Sequence, residues 1–303
     1  MIKISILVPI YGTEKYIAKC AETLFNQSYE NIEYIFVDDC TKDNSISILE
    51  AVIKKYPQKG KQIKIIHHTN NQGLAAARLT GLINSTGDYI WFVDSDDYVE
   101  CNALDICLKW IDKNYDLIVF NYFTESGFNV RRSHIKKINV NAVLKHYMSP
   151  MIWKCIIKRE LFFENKIFPV EGVNFAEDLL LLSRLILVSK KHILLEDCLY
   201  HYNCTNLSSY TANIKTSYIE NAADAIMMIC DFYGNWGKIE KYQHGLCFLL
   251  VEVYLKLYKN DSKNKKLTEL EKYIKQFSKI GLMIINLSVL FRTNLFIKIL
   301  RRL

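Results

Sequence analysis

The chain has 303 residues, half of them hydrophobic, with only 4 prolines and a net charge of +7. That length suits one large α/β domain with an appendage or two modest domains, and the composition excludes a long disordered tract. The basic excess is uneven: residues 1–100 carry 10 basic against 13 acidic side chains, whereas residues 256–303 carry 12 against 3. A nucleic-acid binder would carry its charge across the main recognition surface. A basic tail instead fits contact with an anionic membrane. The 9 cysteines are odd in number and hold no Cys-x-x-Cys pair, which argues against a zinc ribbon or a disulfide framework and for reduced thiols in the cytosol. Met1 runs directly into Lys3-Ile4-Ser5-Ile6-Leu7-Val8, which reads as a first strand rather than a secretion signal.

Apolar, β-branched runs recur through the first 120 residues as Ile4–Ile10, Glu33–Asp39, Ile63–His67, Tyr89–Asp94 and Leu117–Tyr122. Their starts lie about 29 residues apart, the length of a βα unit. Between them the period is helical. Tyr16, Ile17, Cys20, Ala21 and Leu24 form a face behind a Thr13 cap. Ile46, Leu49, Val52, Ile53 and Tyr56 form another after Asp43, and Leu74-Ala75-Ala76-Ala77 opens a third helix behind Gly73. This alternation predicts an α/β fold, Rossmann-like, with a mostly parallel sheet covered by helices on both faces. After about residue 125 the rhythm breaks into short mixed elements, including Trp153–Phe163 and Phe175–Val188. Beyond about 215 helical patterns dominate, and Lys259–Lys266 reads as an exposed connection. The expected division is a domain over 1–210, with a nucleotide-binding half at 1–100 and an acceptor-side half at 101–210, then a C-terminal helical region over 211–303.

Ligands of a parallel sheet bind beyond the carboxyl ends of its strands. The second run ends in Asp38-Asp39 and the fourth in Asp94-Ser95-Asp96-Asp97. Carboxylates gathered in that way repel one another unless a cation or a donor-rich ligand sits among them. Mg²⁺ and Mn²⁺ take carboxylate and phosphate oxygens together, and Asp-x-Asp spacing at a strand end can bring two carboxylates to one metal. The plainer alternative is a polar turn that ends a strand and caps the next helix.

Five segments in order resemble the family-2 glycosyltransferases of GT-A fold. They are Ile6-Leu7-Val8-Pro9-Ile10-Tyr11, Phe25-Asn26-Gln27-Ser28-Tyr29, Phe36-Val37-Asp38-Asp39, Asn71-Gln72-Gly73-Leu74-Ala75-Ala76-Ala77-Arg78, and Gly87 through Asp97. The match covers about residues 3–125. A weaker likeness continues through Trp153-Lys154, Lys158–Phe162 and Phe175-Ala176-Glu177-Asp178 to Leu199-Tyr200-His201-Tyr202. The resemblance implies that Pro9 and Tyr11 line a base pocket and that Asp39 accepts a hydrogen bond from the base or ribose, uracil being the usual base. Arg78 is implied near the donor's diphosphate or sugar, with Ser95 among the nucleotide-sugar contacts. Asp94 and Asp96 are implied as the metal pair for Mn²⁺ or Mg²⁺, and Asp178 as the base that activates the acceptor. Gly12, Cys40 and Leu79 depart from the family's usual Asn, Gly and Asn.

The chemistry gives that base a reason of its own. Inverting sugar transfer displaces a nucleotide diphosphate in line, so the attacking hydroxyl must shed a proton to a carboxylate on the opposite face. Glu177-Asp178 opens the helical run Leu179–Val188, where an acidic pair also favours a helix start without any catalytic duty. Glu177 is a candidate acceptor contact. Trp153 is a candidate for stacking on an acceptor sugar, or a core tryptophan. His201 is a candidate further metal ligand or diphosphate contact, or a structural histidine; His67-His68 read as strand-end packing. The run Ile280–Phe291 is too short to read as a transmembrane helix. Leu295, Phe296, Ile299, Leu300 and Leu303 share one face of an expected interfacial helix with Lys298, Arg301 and Arg302 elsewhere.

The expected function is therefore transfer of a sugar from a nucleotide-diphosphate sugar, a UDP-sugar for preference, to a hydroxyl of a glycan or lipid-linked acceptor in bacterial surface polysaccharide synthesis such as capsule or lipopolysaccharide. The expected location is the cytoplasm at the inner face of the cell membrane, with no nucleic-acid partner. Two alternatives are a nucleotidyltransferase, which Tyr11-Gly12-Thr13-Glu14-Lys15 fits poorly as a phosphate loop, and a catalytically inactive sugar-binding or scaffold subunit, against which Asp94, Asp96 and Asp178 argue.

Overall fold

The structure, a computed structural model, describes residues 2–206, 215–277, 283–286 and 288. The expected interfacial helix over residues 295–303 and most of Ile280–Phe291 lie outside the described residues. In chain order the elements are β1 (Ile4–Ile10), α1 (Ile17–Phe25), β2 (Ile32–Asp38), α2 (Ser45–Ile53), β3 (Ile63–His67), α3 (Leu74–Ile83), β4 (Tyr89–Phe92), β5 (Tyr98–Val99) and α4 (Ala103–Ile111). There follow β6 (Leu117–Ser126), β7 (Asn129–Arg132), α5 (Val140–Leu144), β8 (Cys155–Lys158), α6 (Arg159–Glu164), α7 (Glu177–Val188), β9 (His192–Asn203), α8 (Thr216–Asn235), α9 (Ile239–Asn260) and α10 (Lys266–Phe277).

The chain packs as two compact units. One comprises Met1–Ile138, Ile152–Gly172 and Val188–Ser209; the other comprises Asn139–Met151, Val173–Leu187 and Tyr210–Leu303. Residues 139–151 and 173–187, which the chain-order division assigns to the acceptor-side half, thus pack with the C-terminal helices.

The first unit holds one sheet in the order β3-β2-β1-β4-β8-β6-β9-β5, with β7 on β6. β1 runs parallel to β2 and β4, β2 to β3, and β6 to β9, while β8 is antiparallel to both β4 and β6. Six strands therefore point one way, and β5, β7 and β8 run against them. Every residue of β1 is buried, so both faces of the sheet are covered there, and its sequence reads as an unbroken apolar run for that reason. Pro9 is tolerated inside this central strand because β1 and β4 pair only as far as Leu7↔Phe92. The Leu7 carbonyl accepts the Val93 N–H at 3.0 Å. Pro9, two residues on, faces the same side, past the end of β4, where no ladder bond is lost.

Helix boundaries follow local chemistry. α1 buries Ile17, Cys20, Ala21, Leu24 and Phe25, the expected face with Phe25 in place of Tyr16, which precedes the helix and is half-buried. Thr13 caps it through its main chain, its carbonyl accepting from Tyr16 and Ile17, while its side chain meets Ser45. Asp43 Oδ1 accepts the Ser45 N–H at 3.1 Å and the Ser45 hydroxyl at 2.6 Å at the start of α2. Gly87 admits no side chain, since a Cβ there would lie 2.4 Å from Ser5 Oγ and 2.7 Å from Ser5 N. In the second unit α8 and α9 are long helices, and Gly245 on α9 approaches Leu144 of α5 so closely that a Cβ would come within 2.9 Å. Among the described residues no helix is long and apolar enough to cross a membrane. None of the nine cysteines forms a disulfide.

Candidate active site

The register of the parallel strands assembles the site in the first unit. Ile10 stands opposite Asp38, so β1 and β2 finish side by side, while β4 ends earlier, opposite Leu7, on the same edge. Tyr11, Asp39 and Asp94 follow those ends at one edge of the sheet. Tyr11 is half exposed at 52%, leaving its ring open to a flat partner, and Pro9 is buried in β1. Gly12, with φ +68°, turns the chain, and its N–H donates to Thr41 Oγ1 at 2.8 Å. Cys40 holds φ +56°, a left-handed conformation that explains why a glycine suits this position.

Asp39 is buried and already engaged. Its Oδ1 lies 2.8 Å from His68 Nδ1 and accepts the Gln72 N–H at 2.8 Å, while Oδ2 accepts the Gly73 N–H at 2.8 Å. Three of roughly four lone pairs are thus used, which leaves room for one more hydrogen-bond donor. His67 Nδ1 likewise meets Asp38 Oδ2 at 2.9 Å. The two histidines packed at a strand end therefore support the acidic pair of the neighbouring strand. Two acidic residues closing β2 and two histidines closing the next strand were a readable signal for that pairing, because Asp38 stands in register with His67.

The turn after β4 is built from four residues. The Asp97 N–H closes it on the Asp94 carbonyl at 3.1 Å, and Ser95 is buried at its corner. Arg78, 1% exposed on α3, donates through Nη2 to Asp94 Oδ1 at 2.9 Å. Asp96 Oδ2 accepts from Asn206 Nδ2 at 2.8 Å. Asp97 turns inward, Oδ2 accepting from the Tyr200 hydroxyl at 2.7 Å and Oδ1 from the Asn203 N–H at 2.8 Å. Burial first, then the charge of Asp94, pushes the Asp96 carboxyl up to about 6. Asp97 is pushed well above the carboxylate range by burial, then by Asp96 and Asp94. Tyr200, Asn203 and Asn206 are the partners that sequence reasoning did not single out.

Among the described residues, Asp94 Oδ2 and Asp96 Oδ1 have no side-chain partner, and no group of three or more His, Cys, Asp or Glu side chains gathers to hold a metal alone. Two carboxylate oxygens under mutual repulsion fit a hard divalent cation whose remaining positions are filled by phosphate and water.

The other candidates sit as follows. Trp153 is 2% exposed, its ring stacked 4.2 Å from Tyr200 and 5.4 Å from Tyr202, with Tyr122 edge-on at 4.8 Å. That is the core-tryptophan arrangement, and no open face is presented to a sugar. His201 lies 2.8 Å from Glu125 through Nδ1 and 2.8 Å from Glu100 through Nε2, between the rings of Tyr98 and Phe123. Both its nitrogens are occupied by carboxylates, which makes it a tie between β5, β6 and β9. Glu177 and Asp178 belong to the second unit, in the first turn of α7, with Glu177 buried and Asp178 partly exposed. Ala176 precedes them at φ +64°, and its carbonyl accepts the Leu180 N–H at 3.0 Å.

Comparison with known proteins adds to this geometry. A putative glycosyltransferase of Bacillus subtilis, EpsH, is 29% identical over 261 residues, covering 82% of this chain and 74% of that one. The crystal structure of Staphylococcus aureus TarS residues 1–349 in complex with UDP-GlcNAc aligns with a TM-score of 0.67 at 19% identity, over 95% of this chain and 91% of that one. A mannosyltransferase of Pyrobaculum calidifontis in complex with GDP-Man and Mn²⁺ aligns with a TM-score of 0.56 at 14% identity, over 99% of this chain and 86% of that one. These likenesses identify the fold as GT-A. The model of the family described as glycosyl transferase family 2 matches residues 5–171, more than half the chain and the stretch that builds β1 to β8; the chain belongs to that family.

Proposed function

We propose that this protein is an inverting, metal-dependent glycosyltransferase that moves a sugar from a UDP-sugar to a hydroxyl of a glycan or lipid-linked acceptor in bacterial surface polysaccharide synthesis. The observation that carries the reading is the Asp94–Asp97 turn beside Tyr11 and Asp39, with one oxygen each of Asp94 and Asp96 lacking a side-chain partner among the described residues. UDP-GlcNAc in the TarS complex and Mn²⁺ in the mannosyltransferase complex support the donor and the cation.

In this reading Tyr11 stacks on the base above Pro9, and Asp39 accepts from base or ribose with its remaining lone pair. Asp94 and Asp96 hold Mn²⁺ or Mg²⁺, which supplies positive charge to the departing diphosphate. Arg78 exchanges part of its contact with Asp94 for the diphosphate or sugar, beside Ser95. Asp178 takes the proton of the acceptor hydroxyl, and Glu177 holds the acceptor. Residues 1–100 then serve the donor and 101–210 the acceptor, with 211–303 an appended helical region. The basic excess over residues 256–303 supports peripheral contact with an anionic membrane on the cytoplasmic side. Liposome flotation of the intact protein against a form truncated at Lys279 tests that contact, and equal recovery refutes it.

The decisive experiment is a thermal-shift screen of nucleotide sugars with and without Mn²⁺, repeated on Asp96→Ala. A UDP-sugar should raise the melting temperature only when Mn²⁺ is present, and the variant should lose that rise. A variant that keeps metal-dependent donor stabilisation refutes the site.

A further inference from the structure

We infer that Tyr200 is a positioning residue for the acidic turn: its hydroxyl ties the two ends of Asp94–Asp97 together and so presents Asp94 and Asp96 to cation and diphosphate. The inference rests on the metal-dependent reading above. Tyr200 is fully buried on β9, with its ring stacked on Trp153, so it cannot touch substrate itself. Its hydroxyl accepts the Asp94 N–H at 3.1 Å and donates to Asp97 Oδ2 at 2.7 Å. A hydroxyl has one proton to give, and here it is committed to Asp97, which fixes the group's orientation. The same strand end adds the Asn203 N–H on Asp97 Oδ1 and Asn203 Nδ2 on the Asp96 carbonyl at 3.2 Å.

The turn is thereby sorted into two functions. Asp97 commits both carboxylate oxygens inward to the end of β9 and serves as the anchor. Asp94 and Asp96 are each left with one oxygen that has no side-chain partner among the described residues. Without the hydroxyl, a half-buried N–H and a buried carboxylate oxygen both lose this partner, and the turn is drawn to move to satisfy them. Hard cations are sensitive to the placement of their oxygens. Loss of an outer partner that orients ligands typically weakens metal binding about 10–100-fold.

The test uses the full chain with three substitutions. Tyr200→Phe keeps the ring in its stack and removes only the hydroxyl. Asp97→Asn weakens the same anchor from the other side. Tyr34→Phe deletes an equally buried hydroxyl, which donates to the Leu24 carbonyl at 3.0 Å and to no atom of the turn. Mn²⁺ binding in the presence of UDP is measured from the electron paramagnetic resonance of unbound Mn²⁺, alongside the melting temperature with and without metal. Tyr200→Phe and Asp97→Asn should each raise the Mn²⁺ dissociation constant by about 10-fold or more. Tyr34→Phe should lower the melting temperature comparably to Tyr200→Phe and leave Mn²⁺ binding unchanged. Unchanged Mn²⁺ binding by Tyr200→Phe overturns the inference, and so does an equal loss in Tyr34→Phe, which would signify general loosening. If the unmodified protein binds no Mn²⁺ with UDP, the metal-dependent reading itself fails and takes this inference with it.

Discussion

Replacing Asp96 by asparagine should make the metal-free protein more stable while removing its response to metal. The Asp96 carboxyl is raised from 3.8 to about 6, first by burial and then by the neighbouring charge of Asp94, against a hydrogen bond from Asn206. At about 1.36 kcal/mol per pH unit, that rise corresponds to about 3 kcal/mol. The direction follows from proton binding. Between about pH 4 and 6 the folded state holds the proton more tightly than the unfolded chain, so stability falls as pH rises through that window, and the whole cost stands above about pH 6. The substituted amide carries no charge and retains an oxygen to accept from Asn206. In EDTA at about pH 7.5, Asp96→Asn should therefore melt several degrees above the parent, and by about pH 4 the two should converge. Differential scanning calorimetry across that pH range measures the gap. With UDP present, Mn²⁺ should then raise the parent's melting temperature and leave the variant's unchanged. A gap that is constant with pH, or a variant less stable than the parent at the upper end of the range, would refute the claim that this carboxylate is held at a cost.

Further expectations follow from single residues. Asp178→Asn should retain Mn²⁺-dependent donor binding and lower transfer about 10²–10⁴-fold, the usual span for a general base, as read from acceptor glycosylation at saturating donor; near-normal transfer would remove Asp178 from the mechanism. Gly87→Ala should cost more than about 2 kcal/mol in urea unfolding, because the new methyl meets the Ser5 backbone nitrogen at 2.7 Å and cannot be accommodated by a side-chain rotation alone. Cys40→Gly should be neutral to stabilising by at most about 1 kcal/mol: relief of a left-handed non-glycine residue at φ +56° is offset by glycine's greater freedom in the unfolded chain. A clear loss of stability there would show that the Cys40 side chain, whose Sγ lies 3.8 Å from the Thr69 carbonyl, contributes packing that outweighs its backbone strain.

The parts of the fold legible in the sequence are those whose burial leaves a local period. β1 falls where its apolar run predicts, and β2 and β4 differ only at their ends, because strands covered on both faces read as continuous hydrophobic stretches. β3 also falls where its run predicts, although it is an edge strand with no residue buried. α1 and α3 were equally readable from a 3.6-residue stripe and from Gly73. β8 was not, because its four residues between a 3₁₀ turn and α6 take their strand character from the open edges of β4 and β6. The transfer of residues 139–151 and 173–187 to the second unit was equally hidden, since it depends on long-range packing and not on local pattern. Within the candidate site, Asp39, Asp94 and Asp96 could be singled out because strand ends are predictable places. Tyr200 could not be, since it lies 103 residues from Asp97 and nothing near either residue announces their hydrogen bond.

That asymmetry bears on how the site works. Acidic residues at a strand end are easily read, yet they are only half of the arrangement. Left alone, Asp94, Asp96 and Asp97 would disperse their charge by swinging into solvent. The end of β9 prevents this, taking Asp97 into the interior through Tyr200 and Asn203 and holding the turn closed. Arg78 offsets part of the remaining charge at Asp94, while Asp96, whose side-chain partner among the described residues is the neutral amide of Asn206, keeps its raised affinity for a proton. A group that binds a proton because its neighbours repel it will also bind a divalent cation that relieves the same repulsion. In the proposed reading, the folding energy committed to holding these carboxylates together would be recovered on binding of cation and diphosphate, which is the expected cost of a preorganised site.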